Sequence, residues 1–183
     1  NAIWLDINKT SSYEMYQYLL NAEDEMVIDY LKIFTFLSRE EIEALERDHK
    51  ENPHLRNAHK ALAREVVTFL HGREEYERAV HISEVLFSGE IGDLTAHEIE
   101  TALKTFPQFM IESEENIVDF LVHYNIASSK REAREFVSNG SIMINGKKVT
   151  NLEHIICKED AIDTKYVVVR RGKKKYYVGK FKN

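Results

Sequence analysis

Arg131 and Arg134 stand three residues apart in a stretch, 129–138, whose apolar residues Ala133, Phe136 and Val137 fall on one helical arc. On a helix the two guanidiniums lie side by side. That arrangement suits phosphate oxygens, because each planar fork makes parallel hydrogen bonds to an oxyanion. Surface pairing with Glu132 and Glu135 is the alternative use of the same charges. Lys130 shares the basic arc, and Asn145-Gly146-Lys147-Lys148 brings two ammoniums on a turn. From Lys165 to Lys182 come eight more cations and no acid: Lys165, Arg170, Arg171, Lys173, Lys174, Lys175, Lys180 and Lys182. A charge run is ordinarily a solvated face. This one is single-signed and interleaved with Tyr166, Tyr176 and Tyr177, the make-up of an RNA-facing patch.

Other reactive side chains have ordinary readings. His49, His54 and His59 are five apart, so they do not share a helical face as a four-residue spacing would, and no metal site is expected. His71 fits a helix end, where it complements the C-terminal dipole. The single cysteine, Cys157, excludes a disulfide framework and reads as a small half-buried side chain. Ser88 and Ser141 lack the setting of a nucleophile elbow. The acids at 23–25 and 40–46 read as helix-start and surface charges. Trp4, Tyr13, Tyr16 and Tyr18 are expected to pack, in a helical core or against another domain, rather than to stack on bases.

The elements that must position the cations fall into two blocks of opposite charge. The 183 residues carry 25 Lys plus Arg against 31 Asp plus Glu, a net of -6. As a whole-chain figure this argues against a nucleic-acid partner. Residues 1–115, however, hold 11 basic and 24 acidic side chains, and residues 116–183 hold 14 and 7. A swing of that size predicts two units with different partners. A hydrophobic content of 43% suffices for a core, and no run of 18 apolar residues exists to span a membrane. A chain starting at Asn1 without a basic-then-apolar leader is expected to be an excised or processed piece, cytoplasmic in origin.

Helical spacing marks 11–20, 55–70 and 75–86, with a further segment opened by Glu23-Asp24-Glu25. Ser38-Arg39-Glu40-Glu41 is a capping box, Thr95-Ala96-His97-Glu98 caps another short helix, and His71-Gly72 is a stop. Residues 49–53 read as a connector and 106–115, with Pro107, as a linker. Beyond it, 117–124 is a short amphipathic helix and Ser129-Lys130-Arg131-Glu132 a second capping box. Ser141 to Ile144 and 147–149 form a hairpin around Asn145-Gly146. Strands at 166–170 and 176–181 join around Gly172. The expected fold is α+β: an all-α helical bundle over 1–112, then a small α+β RNA-binding domain over 113–183 with two short helices and a mostly antiparallel sheet.

Ser129-Lys130-Arg131-Glu132-Ala133-Arg134, Asn139-Gly140 and Ile144-Asn145-Gly146-Lys147 together resemble the helix-loop-strand RNA-binding motif first seen in small-subunit ribosomal protein S-four. Ala2-Ile3-Trp4-Leu5-Asp6, Thr10-Ser11-Ser12-Tyr13, Phe34-Thr35-Phe36-Leu37, His71-Gly72, Leu86-Phe87-Ser88-Gly89 and Arg170-Arg171-Gly172-Lys173-Lys174-Lys175-Tyr176-Tyr177 extend the resemblance along the chain. In order, these blocks are similar to the C-terminal half of bacterial tyrosyl-tRNA synthetases.

The resemblance implies tRNA as partner, specific for tyrosine. It implies an anticodon-binding helical region and phosphate contacts from Lys130, Arg131, Arg134, Lys147, Lys148, Arg170, Arg171, Lys173 and Lys174. Asp24 matches a family carboxylate that reads the first anticodon base. A carboxylate can accept both N1–H and N2–H₂ of an unstacked guanine, and the alternative for Asp24 is an acid serving the helix dipole. The HIGH and KMSKS signatures of the family's catalytic domain are absent from these residues. The implied tyrosine--tRNA ligase activity, with its ATP and magnesium and its homodimer contacts, therefore belongs to a domain outside this chain, and the chain alone is expected to be inactive. Two rivals stay open: the RNA-binding module of another RNA-modifying enzyme, or a helical protein-interaction module with a basic tail.

Overall fold

The computed structural model describes residues 3–173 and 175–183 and divides into two compact units, residues 1–83 and 84–183. The first holds α1 (Ser12–Leu20), α2 (Val27–Phe34), α3 (Arg39–Glu51), α4 (Asn57–His71) and most of α5 (Arg73–Ser88). Ser11 and Ser38 start α1 and α3 with complete capping boxes, each hydroxyl accepting from the third backbone N–H and each glutamate returning to the cap. α4 is the hub and packs on α1, α2 and α3. Its buried Ala58, Ala61 and Ala63 let neighbouring helices approach, and Met15, Val27, Leu31 and Leu62 fill the core. The stretch 49–53, expected as a connector, is still helix as far as Glu51. α2 begins at Val27, so Glu23, Asp24 and Glu25 lie in the turn before it rather than in its first turn.

The second unit holds α6 (Ala96–Ala102), α7 (Ile117–His123) and α8 (Lys130–Ser138) around a five-stranded sheet. Its strands are β1 (Gln108–Ile111), β3 (Ile142–Ile144), β4 (Lys147–Lys148), β6 (Tyr166–Arg171) and β7 (Lys175–Phe181), in the order β1-β7-β6-β3-β4. β1 runs parallel to β7, and all other pairings are antiparallel. β2 (Glu115–Asn116) and β5 (Ile155–Ile156) form a separate short pair. Asn145 and Gly146 have φ of 48° and 82°, the two left-handed residues that a tight hairpin turn requires.

Side chains alternate across the sheet. One face, with Ile142, Ile144, Val167, Val169 and Phe181, is covered by α7 and α8 through Phe120, Leu121 and Val137. The other carries Tyr166 and Tyr176. Tyr176 donates to the Leu86 carbonyl at 2.7 Å and its ring lies 5.4 Å from that of Phe106, while Tyr166 donates to Glu100 Oε1 at 2.5 Å. Residues 85–106 thus form the second covering layer, and the expected boundary at 112/113 falls inside this unit. The expected linker at 106–115 contains strand β1 and the first residue of β2. Phe109 and Ile111 turn inward from β1, and Gly179 of β7 leaves the space that Phe109 occupies. From Glu84 onward the chain holds fifteen basic and fifteen acidic residues, so the positive charge is a polarity within one unit rather than between two. No helix among the described residues is long and apolar enough to cross a membrane.

Candidate nucleic-acid interface

α8 presents the basic arc as its spacing requires: Ala133 and Val137 are buried, and Arg131 and Arg134 are exposed. Among the described residues neither guanidinium has a hydrogen bond or ion pair. The glutamate between them is engaged elsewhere. Glu132 accepts from the backbone N–H and hydroxyl of Ser128 at 2.5 and 2.6 Å, which hold its carboxyl below the usual carboxylate range. The expected capping box is therefore half made. Ser129 accepts from the Glu132 N–H, but Glu132 returns to Ser128 instead of to the cap. Lys130 is paired with Asp119 at 2.6 Å.

The strand cations separate by face. Register sets Arg170 opposite Met143, and Met143 opposite Lys148, on the side of Tyr176. Arg171 pairs with Ile142 and Lys175, and Lys147 with Ile144, on the side of α8. Arg170 is half-buried. It donates through Nε to the Gly172 carbonyl at 2.9 Å, and its guanidinium fills the space beside Gly89. Arg171 donates to the Ile126 carbonyl and lies over the rings of Phe136 and Tyr177, 5.2 and 5.9 Å from their centroids. With Phe136, Ser141, Gly172, Lys173 and Lys175 it lines an open recess of about 460 Å³. Lys147, Lys148 and Lys173 are exposed, and Lys174 lies outside the described residues. Lys175 and Phe136 were missing from the expected contact set. Strand alternation carried the signal for Lys175, which sits two residues before Tyr177 and so on its face.

Asp24 is 60% exposed and is held by residues distant in sequence. Its Oδ1 lies 3.2 Å from His59 Nε2 and 3.4 Å from Arg56, and its carbonyl accepts from His49 Nε2 at 3.0 Å. His59 is fully buried. Burial pushes its pKa down from 6.5, and its Nε2–H donates to the Ala22 carbonyl at 3.0 Å, with Asp24 Oδ1 as a close polar neighbour of the same nitrogen. The histidines that do not share a helical face nonetheless include one close pair, His49 and His59, with ring centroids 5.5 Å apart. Residues on two helices give no such signal in sequence spacing. Among the described residues no group of three His, Cys, Asp or Glu could hold a metal ion. Cys157 is half-buried, and its thiol donates to Asp160, whose carboxylate raises the thiol pKa. Tyr16 is buried, whereas Trp4 and Tyr18 are exposed in this chain, and the Lys9 ammonium lies 4.3 Å from the Trp4 ring centroid.

A family model described as the tyrosine--tRNA ligase SYY-like C-terminal domain matches residues 98–178, and one for class I tRNA synthetases (W and Y) matches residues 1–88. The tyrosine--tRNA ligase of Streptococcus agalactiae is 49% identical over 184 residues, covering 100% of this chain and 44% of the relative. That of Ligilactobacillus salivarius is 52% identical over 182 residues, covering 99% and 44%. A solution structure of a tyrosyl-tRNA synthetase C-terminal domain matches with 41% identity and a TM-score of 0.44, covering 52% of this chain and 98% of that one. The chain spans less than half the length of the curated relatives it matches. With both models following in order and relatives near half identity along its whole length, the chain belongs to the tyrosine--tRNA ligase family and corresponds to its C-terminal region.

Proposed function

We propose that this chain recognises tyrosine tRNA on behalf of a tyrosine--tRNA ligase. The observation that carries the reading is the pair Arg131 and Arg134, exposed, adjacent and without partners among the described residues, on the helix whose Phe136 lines the recess with Arg171, Lys173 and Lys175. A phosphate meeting these guanidiniums displaces only water and counterions, because no carboxylate has to be released first. Lys147 and Lys148 extend the positive surface along the hairpin. These contacts set the register of the RNA without reading its sequence. Sequence would be read in the first unit, where Asp24 accepts from the edge of the first anticodon base. In this reading tyrosylation, ATP, magnesium and the homodimer contacts belong to a catalytic domain outside these residues, acting in the cytoplasm.

Titration of the chain with tyrosine tRNA and with a non-cognate tRNA, at several salt concentrations, tests this. Neutralising about six phosphates should give a slope of log affinity against log salt of roughly -4 to -5. Absence of binding at low salt, or a flat salt response, overturns the proposal.

A further inference from the structure

Asp24 is held more firmly than a surface carboxylate ordinarily is. His59 Nε2 lies 3.0 Å from the Ala22 carbonyl and 3.2 Å from Asp24 Oδ1. Both neighbours are acceptors, so the ring proton sits on Nε2, where it is donated to the Ala22 carbonyl, and Nδ1 is bare. The same logic puts the His49 proton on Nε2, facing the Asp24 carbonyl. Arg56, at a left-handed φ of 54°, reaches the Leu20 carbonyl at 2.5 Å and Asp24 Oδ1 at 3.4 Å. The turn is therefore gripped at Leu20, Ala22 and Asp24 by three side chains from α3, α4 and the residue before α4.

This grip has a cost. His49 Nδ1 and His59 Nδ1 are both buried with no hydrogen-bond partner among the described residues. An unsatisfied buried polar atom destabilises a fold, and an apolar side chain of similar size would remove the penalty. What the histidine supplies and an apolar side chain could not is the Nε2–H. Nor does Asp24 serve α2 as its cap, since Met26 occupies that position. The side-chain contacts recorded for Asp24 fall on Oδ1, and Oδ2 has no partner among the described residues.

We infer that His59 is a positioning residue for base discrimination, fastening the turn at the Ala22 carbonyl and standing 3.2 Å from Asp24 Oδ1, so that the carboxylate meets an unpaired guanine edge with its two adjacent N–H donors in a fixed orientation. This rests on the proposed base-reading role of Asp24. A carboxylate free to rotate would accept from water or from other bases as readily. One on a turn fastened by a buried donor, with Arg56 on its Oδ1, has its orientation settled before the RNA arrives.

The test uses tyrosine tRNA with guanine at the first anticodon position and the same tRNA with adenine there, with affinities measured for the wild-type chain and for variants. Asp24→Ala should erase a guanine preference on the order of tenfold, the scale of one lost paired base contact. His59→Ala should lower that preference at least about threefold while leaving the salt slope unchanged, since it touches no phosphate. His59→Gln places an amide N–H at similar reach and should restore the preference. His59→Ala added to Asp24→Ala should change the preference no further. Thermal unfolding is followed for each, and if His59→Ala does not fold, His59→Asn, whose amide is too short to reach the Ala22 carbonyl, takes its place with the same expectation. Retained preference in the His59 variant, or equal weakening for both tRNAs, overturns the positioning role. Retained preference in Asp24→Ala overturns base reading itself, which is a separate outcome.

Discussion

Arg170 and Arg171 are consecutive in β6 and point to opposite faces of the sheet. Arg170 lies against Gly89 and Met143, whereas Arg171 stacks over Phe136 on the side of α8. Arg170→Ala should therefore act mainly on stability. It loses packing and a hydrogen bond to Gly172, a cost of about 1–2 kcal/mol, and the salt slope of tRNA binding should hold. Replacing Arg131 and Arg134 together should leave stability within about 0.5 kcal/mol and reduce the slope by roughly 2. Denaturant unfolding and salt titration of the two variants check this. A slope loss in Arg170→Ala equal to that of the α8 pair would contradict the face assignment.

Gly146 and Gly172 both adopt left-handed backbone, with φ of 82° and 64°, but only one is crowded. A Cβ on Gly146 would meet the Gly89 carbonyl oxygen at 3.0 Å and the Ile91 nitrogen at 3.1 Å, and one on Gly172 would meet nothing within 4 Å. Gly172→Ala should cost about 1 kcal/mol, the conformational term alone. Gly146→Ala should cost roughly 2–3 kcal/mol, because backbone atoms cannot swing aside. Equal losses in chemical denaturation would mean that the hairpin turn is not packed on the 89–92 loop.

Tyr166 is buried, and its hydroxyl donates to Glu100, both of which raise the phenol pKa well above its usual 10. The folded state therefore keeps a proton that the unfolded state gives up above pH 10. Stability from this group is complete below that pH and is lost as pH rises further. Tyr166→Phe should lower stability by about 1 kcal/mol at neutral pH and make the alkaline decline shallower. The check is urea unfolding between pH 8 and about 11. Parallel curves for the two proteins would show that Tyr166 titrates normally.

Much of this arrangement was legible in local patterns. The boxes at Ser38 and Thr95, the stop at Gly72 and the Asn145-Gly146 turn each depend on neighbours within a few residues, and each stands where its pattern places it. β1 was not legible, because four residues between Pro107 and an acidic stretch carry too short an alternation, and its partner β7 lies some seventy residues on. The closeness of His59 to Asp24 was hidden for the same reason, since a contact between a turn and a helix distant in sequence leaves no periodic trace. The split of Arg170 and Arg171 between the two faces was hidden in another way. Strand period alone separates them, and treating the run as one block of charge overrode it.

The layer formed by residues 85–106 bears on where the basic module can be cut out and moved. A piece starting at residue 113 would keep all the cations of the 116–183 block but lose the edge strand at Gln108–Ile111. It would also bare Tyr166 and Tyr176 to water. Such a piece would be prone to pair its open β7 edge with another copy. A portable version should begin no later than Glu84, and it would then travel with as many acidic as basic side chains.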